Sequence, residues 1–147
     1  IPLYYNKKAP QSHDYVEMSA SPLYPFGYGL SYTSFDYSDL HLSALTPRSF
    51  EVSFKVRNTG KYDGEEVPQL YLRDEYASVV QPLKQLKHFA RFYLKRGEER
   101  EVKFILSEED FSLVDRNLKR IVEPGTFQIM IGAASDDIRL QTKVAIK

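Results

Sequence analysis

Phe50-Glu51-Val52-Ser53-Phe54-Lys55-Val56-Arg57 alternates apolar and polar residues without a break. Successive side chains of a strand point to opposite faces, so Phe50, Val52, Phe54 and Val56 share a buried face while Glu51, Ser53, Lys55 and Arg57 meet water. The same period recurs in Val102, Phe104 and Leu106, in Phe127, Ile129 and Ile131, and in Ile138, Leu140, Val144 and Ile146, where Thr142 interrupts the apolar set. Strands with one dry and one wet face pair antiparallel. Asn58-Thr59-Gly60, Asp63-Gly64, Arg96-Gly97 and Pro124-Gly125 read as reversals between them.

Extending outward predicts strands over 35–43, 49–58, 66–73, 84–93, 99–106, 125–132 and 137–146. The parity slips between Tyr37 and Leu40 and between Phe89 and Phe92, which predicts a bulge at each place. Pro68 removes a backbone donor inside a predicted strand and implies an edge position or a bulge. Ser107-Glu108-Glu109-Asp110-Phe111 is the single helical signal, one turn with Ser107 as N-cap and acids in its first turn. About seven short alternating strands make the fold class all-β, an immunoglobulin- or fibronectin type III-like antiparallel sandwich with an extended N-terminal arm. Residues 34–147 form the sandwich and 1–33 the arm and linker.

The arm ends in Leu23-Tyr24-Pro25-Phe26-Gly27-Tyr28-Gly29-Leu30-Ser31-Tyr32-Thr33, eleven residues holding four aromatics, two glycines and one proline. Pro25 fixes its own φ and extends Tyr24, while Gly27 and Gly29 admit conformations closed to other residues. The expected product is a kinked connector studded with rings. Nine of the chain's twenty Phe and Tyr residues lie within residues 1–37, the opposite of a disordered tail's composition. Residues 7–21 are polar and irregular and read as a loop. Ring burial on the arm and the entropy of ordering it are of similar size, so Asn6 to Ser21 is expected to become fixed only against further domains.

Composition narrows the partners. Twenty basic residues balance twenty acidic ones across 147 residues, so no net field favours nucleic acid or an anionic membrane. No apolar run approaches the ~18 residues of a membrane span. Cysteine is absent, which removes thiolate chemistry and disulfides and leaves the compartment unread. A chain beginning at Ile1 rather than Met reads as a processed or excised piece.

The connector resembles the junction of family 3 glycoside hydrolases, the β-glucosidase and β-xylosidase group, just ahead of their C-terminal fibronectin type III-like domain. Pro2-Leu3-Tyr4-Tyr5-Asn6 is similar to the run that ends the family's α/β domain. Arg57 to Leu72, containing Asn58-Thr59-Gly60 and Asp63-Gly64-Glu65-Glu66-Val67, is similar to the family's signature. Leu83 to Arg91, Val122-Glu123-Pro124-Gly125 and Ile131-Gly132-Ala133-Ala134-Ser135 match in the same order. The resemblance implies a parent chain that hydrolyses O-glycosyl bonds of β-glycoside substrates, and export to the periplasm or medium. It also implies that the catalytic barrel and α/β domains are partners lying outside this chain.

No catalytic residue, cofactor or metal ligand is assigned within it. Glycoside hydrolysis needs two carboxylates about 5 to 9.5 Å apart across a sugar pocket. Glu65-Glu66 point to opposite faces of a strand, and Asp74-Glu75, Glu108-Glu109-Asp110 and Asp136-Asp137 read as solvated loop charges. The family's nucleophile occupies a Ser-Asp-Trp context, and tryptophan is absent here. Glu17, the sole glutamate of the arm, matches no acid/base motif. His13, His41 and His88 lack metal spacing, Asp136-Asp137 lacks a calcium-loop pattern, and Gly27-Tyr28-Gly29 lacks the lysine and helix of a phosphate loop.

Tyr4, Tyr5, Tyr24, Phe26, Tyr28 and Tyr32 are the candidate site, as interdomain packing residues. The chain is thus expected to be a non-catalytic domain that packs on and stabilises catalytic domains. The alternative is a free-standing carbohydrate- or protein-binding module, with the tyrosines as a stacking platform. Missing tryptophan and the interleaved glycine and proline favour packing.

Overall fold

The computed structural model describes residues 22–79 and 81–147. Tyr4, Tyr5, Asn6 to Ser21, His13 and Glu17 lie outside the described residues. Among the described residues there are eleven strands: β1 Phe35–Thr46, β2 Ser49–Asn58, β3 Gly64–Glu66, β4 Gln69–Asp74, β5 Gln85–Phe89, β6 Phe92–Leu94, β7 Glu99–Leu106, β8 Leu113–Val114, β9 Arg120–Ile121, β10 Gly125–Gly132 and β11 Ile138–Ile146. They make a three-stranded sheet, β1-β2-β7, facing a four-stranded sheet, β11-β10-β4-β5, with two short ribbons, β3-β6 and β8-β9. Every pairing is antiparallel.

The inward residues of the two sheets close one core. Val52, Phe54 and Val56 meet Leu70, Leu72, Ile129 and Ile131, and the Phe54 ring lies 6.0 Å from Tyr37 and 5.8 Å from Phe104. Phe111, from the 3-10 turn Glu108–Phe111, plugs one end against Phe50 and Phe127. Asp110 steadies that turn by accepting from the Ser107 amide at 2.8 Å and its hydroxyl at 3.0 Å.

Two of the predicted long strands are in fact broken. The strand predicted over 66–73 divides into β3 and β4 at Val67-Pro68. Pro68 is neither an edge residue nor a bulge but the point where the chain leaves the β3-β6 ribbon for the interior of the larger sheet, its carbonyl accepting from the Ala90 amide at 3.2 Å. A missing donor is harmless between two ladders and disruptive within one. The strand predicted over 84–93 divides at Ala90-Arg91 into β5 and β6, so the parity slip there is a change of sheet. The other predicted irregularity is a bulge as expected: the β1–β2 register shifts between Ser38 and His41, with Asp39 at φ 54°. Aspartate tolerates that left-handed conformation, and its carboxylate meets Lys55 at 2.9 Å.

Asn58-Thr59-Gly60, expected as a simple reversal, is a junction. The fully buried Asn58 amide donates to the carbonyls of Tyr62 at 2.8 Å and Leu94 at 3.2 Å, while Oδ1 accepts from the Thr33 hydroxyl at 2.7 Å and the Gly60 amide at 3.1 Å. Replacing Asn58 with alanine abandons four hydrogen bonds at about 1 kcal/mol each, so Asn58→Ala is expected to cost about 3 to 5 kcal/mol in urea unfolding. Trimming the exposed Ile105 to alanine should cost under about 0.5 kcal/mol.

Candidate functional site

The connector lies over the outer face of the four-stranded sheet. On that face Tyr71, Met130 and Gln69 are buried although they alternate with the core-facing Leu70, Leu72, Ile129 and Ile131. Gln69 is the fastener: Nε2 donates to the carbonyls of Gly27 at 3.2 Å and Ala133 at 2.7 Å, and Oε1 accepts from the Tyr71 hydroxyl. The Ser135 amide donates to the Phe26 carbonyl at 2.8 Å. Gly27 stands at φ 81°, and a Cβ there would lie 2.2 Å from Gln69 Oε1. Its glycine is therefore required twice, by conformation and by closeness.

At its far end the connector is tied again. Thr33 bonds Asn58, and the Ser34 carbonyl accepts from the Thr59 and Gly60 amides at 2.9 and 3.1 Å. Gly60 is small for the same reason as Gly27, since a Cβ would meet Thr33 Oγ1 at 2.1 Å. Between these fastenings the rings face water: Tyr32 is 97% exposed, Tyr24 66%, Phe26 48% and Tyr28 47%. Tyr24 and Tyr28 pack on each other at 5.3 Å, and Leu23 and Leu30 stand exposed beside them. Of the six expected packing residues, Tyr24, Phe26, Tyr28 and Tyr32 lie on the connector, Tyr32 almost fully exposed and Phe26 and Tyr28 half exposed.

A groove separates the connector from the seam where β1 meets β11. Glu66, the last residue of β3, forms part of its floor and accepts from the Tyr37 hydroxyl at 3.1 Å and the Val67 amide at 3.2 Å. Burial pushes the Glu66 carboxyl up, against the pull of those two hydrogen bonds. Burial, then the adjacent Glu66 charge, pushes the Tyr37 hydroxyl up as well. Arg139 stacks over Tyr37 at 4.8 Å, but its charge is claimed by Asp137 at 2.8 Å and the Phe35 carbonyl.

Asp36, Glu65, Asp136 and Asp137 line the same groove, and the other acids are dispersed. Glu65 turns to the opposite face from Glu66 and pairs with Arg91; Glu75 pairs with Lys143, Glu108 with Arg48 and Glu109 with Arg120. His88 stacks on Phe104 and approaches Asp110 at 3.4 Å, far from His41 on β1. Among the described residues, no three of His, Asp and Glu converge as a metal set. Sequence reasoning missed Asn58, Gln69 and Arg139. A polar residue at an inward parity position flags Asn58, whereas no local signal marks the other two.

With this geometry in view, the likeness to known proteins is specific. A fibronectin type III-like domain family matches residues 66–135. A "Beta-xylosidase" of Formosa agariphila is 48% identical over 124 residues, 81% of this chain and 17% of that protein. "Beta-glucosidase BoGH3A" of Bacteroides ovatus is 46% identical over 129 residues, 85% of this chain and 17% of that protein. A solved β-glucosidase from Erythrobacter marinus superposes with a TM-score of 0.90 at 40% identity, covering 99% of this chain and 20% of that one. This chain belongs to the fibronectin type III-like domains of family 3 glycoside hydrolases. The domain spans under a fifth of the length of those two curated relatives, matching their C-terminal part.

Two outcomes test the site's construction. Gly27→Ala in the domain should speed amide exchange at Tyr28 and Ser135, whose protecting bonds run through the connector, while β2 and β7 amides stay protected. Glu66→Gln keeps the acceptor for Tyr37 and Val67 but removes the charge. A carboxyl raised above its unfolded value of about 4.3 stabilises the fold below that pH and loses this contribution as pH rises through the folded value. Melting curves should therefore place Glu66→Gln above the parent at pH 7 and level with it near pH 4.

Proposed function

We propose that this domain is the non-catalytic support of a β-glucosidase-like family 3 glycoside hydrolase, packing through its connector on the catalytic barrel and α/β domains and stabilising them. The observation that carries the reading is the pairing of rigidity with exposure. Gln69, Ser135 and Asn58 hold the connector in place, yet Tyr24, Phe26, Tyr28 and Tyr32 are turned outward. Rings held rigidly in water lose entropy without gaining burial, an arrangement that suits a surface completed by another body. On the outer face of the sheets ion pairs such as Lys55–Asp39, Lys103–Glu51 and Lys143–Glu75 are interleaved with single exposed apolar residues such as Ile105, whereas the connector gathers six exposed large apolar side chains within residues 23–32.

Bond cleavage is assigned to the partner domains, and the β-glycoside substrate with it. Incubated with aryl β-glucosides or β-xylosides, the domain should release no aryl alcohol above a protein-free blank. Tyr32→Ala should leave the domain's melting temperature unchanged, since its ring touches water. In the longer protein, where the same ring would be covered, the substitution should lower the melting temperature by about 2 to 4 °C per kcal/mol of lost packing. An unchanged longer protein would reject the packing role.

A further inference from the structure

The groove beside the connector holds a carboxylate, Glu66, that Arg139 attracts through space but that no cation among the described residues contacts. Glu66 Oε1 receives a hydroxyl and an amide, but among the described residues no cation comes within ion-pair distance of its carboxylate. Arg139, the nearest guanidinium, is spent on Asp137 and the Phe35 carbonyl, and Arg91 is spent on Glu65. Asp36, lining the same groove, is likewise unpaired. Across the opening, residues 23–33 contribute no charged side chain. Asp136 also lines the groove, and its attraction to Lys84 is only Coulombic, that ammonium donating to the Ser135 carbonyl.

The charge therefore sits under the apolar rim formed by Leu30 and Tyr28. Covering that rim with another protein surface strips water from the carboxylate below it. An ionised carboxylate that loses water without gaining a partner opposes association strongly, whereas one that gains a cation in good geometry does not. A guanidinium suits the place best, because its planar fork can take the vacant carboxylate oxygen while its stem lies along the rim.

We propose that the groove receives a basic side chain, arginine or lysine, from the catalytic domains of the longer protein, and that this side chain pairs with Glu66. The inference rests on the packing role proposed above and identifies the chemistry of the contacting surface. Asp36 extends the same attraction to the groove mouth. The connector contributes the apolar part of the interface, and the half-buried Glu66, with Asp36 and Asp136 on the same groove, contributes the negative charge that steers a cation to it.

Melting temperatures of Glu66→Gln and Tyr32→Ala, each in the domain alone and in the longer protein at pH 7, test the proposal. Expected is a reversal of sign: Glu66→Gln raises the melting temperature of the domain alone and lowers that of the longer protein by several degrees, with the loss shrinking in 1 M NaCl. If Glu66→Gln raises both, Glu66 meets no cation and the inference fails. When that result accompanies a lowered melting temperature for Tyr32→Ala in the longer protein, the packing role survives and only the cation is lost. If Tyr32→Ala changes neither protein while Glu66→Gln still reverses sign, the cation contact stands and ring packing is what fails.

Discussion

The side-chain amide of Asn58 is the constraint on which the rest of the structure depends. It lies at the end of β2 with no exposure, and its two donors and its carbonyl oxygen serve four partners, from the 60–62 loop, from β6 and from the connector. Its backbone is engaged as well, accepting from Gly97 and donating to Glu98 at 2.9 Å. In a dry interior an amide left partly unmet is expensive, so each of these segments has to arrive at one place. No buried side-chain nitrogen or oxygen among the described residues is left without a partner. The junction thus sets both the entry of the connector and the path of β6.

Gln69 repeats the device on the opposite side of the four-stranded sheet. An outward-facing position of β4 would ordinarily be wet, but Gln69 is buried there beside Tyr71 and bonded to the connector. The ring of Tyr71 is flanked there by the Lys84 ammonium at 5.9 Å, whose pKa is lowered by burial. Two amides, one inside the sandwich seam and one outside the sheet, therefore hold the connector at both ends. Its rings are displayed as a consequence of that backbone fastening, with Tyr24 and Tyr28 also packed on each other.

This arrangement separates two kinds of surface. The outer face of β2 and β7 carries charges that neutralise one another across strands, Lys103 with Glu51 and Lys55 with Glu99, and such exposed, solvent-screened pairs add little to stability. They keep the face soluble and discourage edge pairing. The connector and its groove do the reverse, combining uncovered rings with a carboxylate whose water is already partly lost.

Period-2 alternation is a property of neighbouring residues, so the sequence alone determined β2, β7, β10 and β11 nearly to the residue, together with the sandwich class and the bulge at Asp39. The one-turn helix at Ser107 was legible for the same reason, because a cap and its acids lie within four residues. Acidic pairs could be assigned to opposite faces or to loops on equally local grounds. What tertiary structure alone decided is which sheet each segment joins: β3 and β6 leave their apparent continuations at Pro68 and Ala90 because their hydrogen-bond partners are each other, nearly thirty residues apart in sequence. The same holds for Asn58, Gln69 and Arg139, ordinary polar residues on a strand until the chain returns from a distance and brings each a backbone carbonyl far away in sequence.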